Sequence, residues 1–385
     1  MNINDSGNES SPDGGGWMGA PPPPPPDGGG GGGGGMGPPP GSGSSAITSL
    51  QRNVVLYGYL VLFIFGFFGH SMSFTIFRRQ TLRKVSTSTL FVYMTISDLI
   101  YLLACFYTFI FLGLNVSTAN KNMMNQLCRA YSFVQYFCMC CTAWFLLTIT
   151  IDRWLRIRFP FRVRELCTRQ RVTIGACVIV IVSAALNSHL ALPFIGVVGD
   201  ATVCSASQTS TAAYQYFYST IWPILITILQ IILPTVLLLA FSISMFVELR
   251  RQQQQKTQLR RGGGGGAGRR VFLDRQMLLI MISSIVLFFI TQIPLSLFYI
   301  LMTYVLRSRL TLEQLLQFNN FAILIASIDY AASFYVHCLS SRLFRQEFYN
   351  VIRVVRSRRV GVVTQLFGPE RIQTQTQLVQ LQTRR

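Results

Sequence analysis

Charged residues are scarce in this sequence. Only 12% of its 385 residues are Asp, Glu, Lys or Arg, whereas 50% are hydrophobic. A soluble domain usually carries about 25% charged residues. A soluble globule of this composition would leave much apolar surface in water, so the scarcity excludes an ordinary soluble fold and favours a membrane protein.

Acidic residues are the scarcest charges, with 14 Asp and Glu against 33 Lys and Arg, and a formal net charge of +19. An excess of basic residues can indicate binding to nucleic acid, to acidic partners or to anionic lipid. The basic residues here fall in clusters between apolar runs. This placement predicts anionic membrane lipid as a partner and no nucleic acid.

Signatures of catalysis are missing too. The sequence has no G-x-S-x-G or H-E-x-x-H motif, and its Gly-rich run at 262–266 lacks the Lys-Ser/Thr of a phosphate loop. Cys138, Cys140 and Cys141 resemble a metal cluster, but this spacing cannot place three thiols on one helix face. We therefore expect packing cysteines, no metal site and no enzyme activity.

Seven apolar runs are long enough to cross a bilayer of about 30 Å as helices of about 20 residues. They lie at roughly 54–77, 88–112, 127–151, 172–195, 217–247, 276–303 and 314–338. Lipid offers no partner to unpaired backbone groups, so each run is expected to be helical. The sequence predicts an all-α membrane protein, a seven-transmembrane helix bundle.

The basic clusters also predict the orientation. Of the 33 Lys and Arg, 28 lie on the side that holds the C-terminus and five on the other side. The positive-inside rule then predicts a multi-pass plasma-membrane protein with an extracellular N-terminus. The sequons at Asn4, Asn8 and Asn115 fall on the outer side and are predicted glycosylation sites.

Composition divides the chain into three parts. Residues 1–50 form a Pro- and Gly-rich extracellular tail that is predicted to be disordered. Residues 51–350 form the seven-helix domain, with a low-complexity cytoplasmic loop at 250–272. Residues 351–385 form a cytoplasmic tail, also predicted to be disordered.

A charged triplet, Asp152-Arg153-Trp154, stands where the third apolar run ends, and Ile157 and Pro160 follow it. This D-R-W-x-x-I-x-x-P pattern resembles the D-R-Y-x-x-I-x-x-P signature of rhodopsin-like (class A) G-protein-coupled receptors, and Phe334 in the seventh run is similar to the helix 7 motif of some invertebrate peptide-receptor-like members. The resemblance implies that acids hold Arg153 in the resting state and that Arg153 meets a heterotrimeric G protein on activation. A plain snorkelling pair at a membrane boundary remains the alternative.

Other spacings extend the resemblance. Asp274, twenty residues before Pro294, occupies the family's place for the acid that locks the third-helix Arg, although it could also be a solvated charge. Cys128 and Cys204 match the family's disulfide. Pro234 and Pro294 match its helix-kinking prolines, and the family's short amphipathic helix 8 is expected after the seventh span.

The resemblance also implies a polar core. Asp98 lies where the family keeps an acid in helix 2, and Asp329, Thr142 and Ser333 could join it. Two neighbouring carboxylates repel, so they need a cation or a shared proton. A structural Na⁺ is thus the one cofactor considered, and the alternative is a pair satisfied by hydroxyls and water.

The outer half of the bundle is the family's ligand pocket. Gln135 replaces the Asp of amine receptors, and Ser327 replaces the Lys of opsins, so both classes are disfavoured. The remaining lining is polar, uncharged and aromatic: Gln135, Tyr136, Met139, Gln230, Gln292, Tyr299 and Asn319. It suits an extracellular peptide or a neutral small molecule, and a neuropeptide is predicted. The two tyrosines could equally be packing residues.

Several positions depart from the family. Gln292 replaces the helix 6 Trp, Ser242 replaces the helix 5 Tyr, and Ser333 and His337 alter the helix 7 motif. These changes leave two alternatives to a signalling receptor. One is a signalling-deficient binding or scaffold receptor, and the other is a seven-helix transporter or channel.

Overall fold

The computed structural model contains seven long helical segments that follow one another along the chain. It describes residues 49–79, 86–116, 120–159, 162, 165, 167–198, 203–207, 209–259, 266–302, 305, 309–342 and 344–353. The uninterrupted helices are α1 (Ser49–Phe77), α3 (Lys121–Arg158), α6 (Gly266–Leu301) and α7 (Leu312–Ser340). Each predicted run coincides with a helix that is long and apolar enough to cross a membrane. The predicted seven-helix bundle is confirmed.

The remaining three segments are irregular. The second, α2, begins as Ser86–Ala104 and ends in a π-helical turn, Phe109–Gly113. The fourth, α4, is Arg169–Asn187 followed by a 3₁₀ turn, Ser188–Ala191. The fifth, α5, covers residues 212–259 and contains two π-helical stretches, Phe217–Ile221 and Thr227–Ile232. Such π stretches within α-helices are often found at functional sites.

Polar side chains fix where several helices begin. Asn120 accepts hydrogen bonds from two backbone N–H groups in the first turn of α3. Thr311 and Gln314 form a reciprocal capping box at the start of α7. Thr168 caps α4 in the same manner as Asn120 caps α3. These caps satisfy N–H groups that would otherwise lack partners at helix ends.

A β-hairpin separates α4 from α5. Strands β1 (Ile195–Val198) and β2 (Val203–Ala206) pair antiparallel, with Val197 opposite Cys204. The prediction that the fourth helical run extends to residue 195 is therefore wrong at its end. Pro193 follows the 3₁₀ turn and lacks the backbone N–H that a continuing helix would need, so the chain turns there.

The bundle has an apolar outside and a partly polar inside. Ile64, Ile181 and Ile290 are exposed on outward helix faces, whereas Asp98 and Gln292 are buried. This distribution suits a protein whose outer surface meets lipid, because lipid does not penalise exposed isoleucine. The helix α3 packs against α2, α4, α5 and the hairpin, so it is the central element of the bundle.

The chain after α7 packs back onto the inner end of the bundle. Residues 344–353 are helical, and Phe344 and Val351 are buried against α1 and α2 residues that include Phe77 and Phe91. Glu347 pairs with Arg79, which follows α1, at 3.4 Å. The identity of this segment as an amphipathic helix 8 stays a prediction, as do the proposed domain boundaries.

Candidate functional site

The hairpin is attached to the outer end of α3 by three bonds. Cys128 and Cys204 form a disulfide, as the sequence predicted. Arg129 donates from Nε to the carbonyl oxygen of Ile195 at 2.8 Å, and Asn125 Oδ1 accepts from the backbone N–H of Val197 at 2.9 Å. The hairpin is thereby fixed against the N-terminal part of α3.

The predicted ligand-pocket residues come from four helices. Most are buried, and Tyr136, Tyr299 and Asn319 are partly buried. The hydroxyl oxygens of Tyr136 on α3 and Tyr299 on α6 lie 3.2 Å apart and share a hydrogen bond. Gln292 donates from Nε2 to the Ala326 carbonyl at 3.2 Å, which ties α6 to α7. The first bond joins α3 to α6 and the second joins α6 to α7, and the pocket role of the whole set stays a prediction.

The two carboxylates of the polar core are buried in the middle of the bundle. Asp98 on α2 accepts a hydrogen bond from Thr142 Oγ1 at 2.8 Å. Asp329 on α7 is close enough to Asp98 to interact with it electrostatically, and Ser333 is buried one turn further on α7. Carboxylate and hydroxyl oxygens are the donors that suit a hard cation, and a bound Na⁺ at this set stays a prediction.

The charged triplet lies at the inner end of α3, and Asp152 and Arg153 are both buried. Asp152 accepts two hydrogen bonds from Arg156, at 2.9 and 3.2 Å, and one from the Thr87 hydroxyl. Trp154 points to α5 and donates from Nε1 to Ser244 Oγ at 2.9 Å. The Asp152 carboxylate thus joins α3 to α2, while Trp154 joins α3 to α5.

Hydrogen bonds also join the inner ends of α6 and α7. His337 Nε2 lies 3.3 Å from Ser284 Oγ, and Ser340 donates to Ser283 at 2.6 Å. The backbone N–H of Arg342 donates to Gln276 Oε1 at 2.8 Å. The predicted lock between Arg153 and Asp274 stays a prediction, because the Asp274 side chain lies outside the described residues.

Comparison with known proteins agrees with this arrangement. Residues 72–333, more than half of the chain, match the family described as 7 transmembrane receptor (rhodopsin family). The chain belongs to the rhodopsin family of seven-transmembrane receptors. Its members are receptors and not enzymes, and this receptor is accordingly a multi-pass plasma-membrane protein.

Two similar proteins from Caenorhabditis elegans carry peptide-receptor names. The receptor is 26% identical to the FMRFamide peptide receptor frpr-18 over 134 residues, which are 34% of this chain and 31% of that protein. It is 25% identical to the Galanin-like G-protein coupled receptor npr-9 over 170 residues, 41% of this chain and 38% of that protein. The receptor thus matches less than two fifths of the length of either relative.

The structure describes both predicted kink prolines of the receptor and one of its three predicted sequons. Pro294 lies inside α6, and Pro234 lies two residues after the second π-helical stretch of α5, Thr227–Ile232. Asn115 is exposed after α2 with a backbone φ of 55°, in the left-handed region that Asn tolerates. Asn4 and Asn8 lie outside the described residues, and glycosylation stays a prediction.

Sequence reasoning missed two groups in the receptor. His189 and Trp222 meet near the outer ends of α4 and α5, although neither was assigned to the pocket. His337 was noted only as a departure from the family, whereas it contacts α6 through Ser284. Both groups depend on contacts between helices distant in sequence, so only the scarcity of His could have drawn attention to them.

Proposed function

We propose that the chain is a receptor for an extracellular neuropeptide that activates a heterotrimeric G protein. The observation that carries the G-protein part is the buried Asp152-Arg153 pair at the inner end of α3. In this position, an outward movement of α6 would open a cleft beside Arg153. The names of the two nematode relatives support a peptide as the ligand.

The lining of the outer half supports the same ligand class. Gln135, Gln230 and Gln292 are buried uncharged amides on three different helices. Such groups hydrogen-bond peptide amides without requiring a charge on the ligand. The proposed orientation has the N-terminus outside, which places the basic clusters against the anionic lipid of the inner leaflet.

A signalling-deficient binding receptor is the second candidate. The observation that favours it is the replacement of the α7 motif by Ser333 and His337, both buried between helices. If these residues hold the resting state too firmly, ligand would bind without G-protein activation. The two candidates differ in signalling and not in ligand binding.

The test is a screen of a neuropeptide library on cells that express the full chain, with G-protein dissociation as the readout. Surface delivery is measured by antibody staining. A peptide response that Arg153→Ala abolishes, and that the exposed-loop control Arg162→Ala retains, would support the proposal. Peptide binding without any G-protein response would favour the binding receptor, and a ligand-gated current would favour a channel.

A further inference from the structure

Trp154 joins the inner ends of α3 and α5 through both its indole N–H and its ring. Nε1 donates to Ser244 Oγ at 2.9 Å, and the ring meets Phe241 edge to face, with centroids 5.3 Å apart. An indole nitrogen can only donate, so the direction of this bond is fixed. Phenylalanine in the same place would keep a ring and lose the bond.

Two further bonds continue this contact toward the C-terminal end of α5. Gln252 donates from Nε2 to the carbonyl oxygen of Ile157 at 3.0 Å, in the last turn of α3. The last four carbonyls of a helix have no partner within it, so this bond satisfies one of them. Arg158 donates to a Glu248 carboxylate oxygen at 2.8 Å, but its side chain is 47% exposed, and exposed ion pairs contribute little.

The α5 residues of these bonds lie on one helix face, because they follow one another at intervals of three and four positions. The row rises about 16 Å along the helix. We call the whole set the α3–α5 contact, which consists of Trp154, Ile157 and Arg158 on α3 and Phe241, Ser244, Glu248 and Gln252 on α5.

Ser242 lies beside this contact and bonds its own helix instead. Its hydroxyl donates to the Leu238 carbonyl at 2.6 Å. Ser242 is the residue that replaces the helix 5 Tyr of the family. In this chain, α5 is therefore bonded to α3 through Trp154, the residue in which the charged triplet departs from the family signature.

The contact between α5 and α6 is of a different kind. Their inner halves meet in an apolar cluster that includes Met245 on α5 and Met281 on α6. Among the described residues, no hydrogen bond or ion pair joins these two inner halves, whereas α6 bonds α7 through Ser283 and Ser284. Apolar contacts have no preferred direction, so two helices can separate along them without breaking a hydrogen bond.

We propose that the α3–α5 contact makes α3 and α5 one moving body, from which α6 alone separates when the inner face opens. Trp154 is the positioning residue, since it supplies both a bond and a ring contact. The inner cleft then opens along the apolar cluster between α5 and α6. The inference rests on the proposed function for the opening itself, whereas the attachment of α5 to α3 is measured on the receptor alone.

Distances between spin labels test this attachment by double electron–electron resonance on the full chain in lipid nanodiscs. Both label pairs share Gln170→Cys, at an exposed position in the first turn of α4, which packs on α3. The α5 pair adds Arg251→Cys and the α6 pair adds Leu279→Cys, both at exposed positions. The free cysteines that are not buried are removed by Cys167→Ser, Cys177→Ser and Cys338→Ser.

Two substitutions remove the bond of the positioning residue. Trp154→Phe and Ser244→Ala should each broaden the distance distribution of the α5 pair about twofold, and the double variant should be no broader than either single one. The α6 pair should keep its width. An α5 distribution that stays unchanged in both variants would overturn the inference.

The chain offers a matched control for each substitution. Trp144→Phe changes another partly buried tryptophan of α3, and Ser242→Ala removes a hydroxyl that bonds its own helix. Both should leave the width of the α5 pair unchanged. Equal broadening by the controls would contradict a specific role for Trp154.

A purified G-protein heterotrimer without nucleotide then separates this inference from the proposed function. A partner that binds the open state shifts the population toward it. The α6 pair should lengthen while the α5 pair keeps its distance, and lengthening of both pairs would overturn the inference. No change in either pair would count against G-protein coupling, and the Trp154 and Ser244 variants would still decide the attachment of α5.

Discussion

Asp152 joins three neighbouring side chains at the inner end of α3. Besides Arg156 and Thr87, it takes part in a hydrogen bond with Cys167, which lies between α3 and α4 outside the membrane spans. Burial, followed by the negative charge of Asp152, raises the pKa of the Cys167 thiol to about 11. The thiolate is the reactive form of cysteine. The rate at which Cys167 is alkylated therefore depends on the negative charge of Asp152.

The first prediction follows from this pKa. At pH 8, roughly one Cys167 side chain in a thousand is a thiolate, so alkylation by iodoacetamide should be slow. Asp152→Asn removes the nearby negative charge and should lower the thiol pKa. We expect alkylation of Cys167 to become several times faster at pH 8, measured by mass spectrometry of receptor in membranes.

A matched control uses a charge that does not contact the thiol. Arg162→Ala changes an exposed residue of the same loop and should leave the rate of Cys167 alkylation unchanged. Equal rates in the parent chain and in Asp152→Asn would show that Asp152 does not govern this cysteine.

At the scale of elements, α6 and α7 are joined at their inner ends. Ser284 contacts His337, and Ser283 accepts from Ser340. The proposed activation moves α6 outward, so both bonds would have to break. In the proposed function, these two bonds stabilise the resting arrangement of a chain whose α7 motif departs from that of the family. His337 thus has a structural role that its sequence position alone did not indicate.

The second prediction concerns the balance between resting and active states. Ser283→Ala combined with Ser284→Ala removes two interhelical bonds, each worth about 1 kcal/mol. Basal G-protein activation should rise on the order of tenfold, measured by G-protein dissociation without ligand at matched surface expression. Ser296→Ala is the control, because within the described part of the chain Ser296 is a buried α6 serine that bonds its own helix, at the Gln292 carbonyl. Unchanged basal activity in the double variant would argue against this constraint.

At the scale of the molecule, the apolar runs of the sequence predicted the helices, whereas the hairpin and the irregular helix turns depend on contacts between helices. Apolar runs predict membrane helices because lipid forces the backbone to bond internally. The spacing of Cys128 from Arg153 supported the disulfide through the family resemblance. The hairpin and the π turn at Phe217 depend on how α5 meets α3 and α4. The spacing of apolar residues along the chain does not indicate contacts between distant helices. The hairpin, the π turn and the contact of His189 with Trp222 were therefore not predicted.

A single helix connects the two faces of the receptor. Along α3, Cys128 holds the hairpin at the outer end, Thr142 bonds Asp98 in the middle, and Arg153 lies at the inner end. In the proposed function, a change in the core around Asp98 would therefore affect both the ligand side and the G-protein side. Reciprocal coupling of this kind is expected whenever two sites bias one two-state element.

The third prediction tests whether the core binds sodium. Binding to the folded state alone raises stability by mass action, so NaCl should raise the unfolding temperature of the purified chain by about 3 °C over N-methylglucamine chloride. Asp98→Asn and Asp329→Asn each remove one carboxylate and should abolish the difference. Thr95→Ala changes a buried α2 residue whose hydroxyl, among the described residues, bonds the Phe91 carbonyl of its own helix, and this variant should keep the sodium effect. If both variants retained the full sodium effect, the ion would bind elsewhere. If the parent chain showed none, the core would hold no Na⁺, and a shared proton or the surrounding hydroxyls and water would satisfy the two carboxylates.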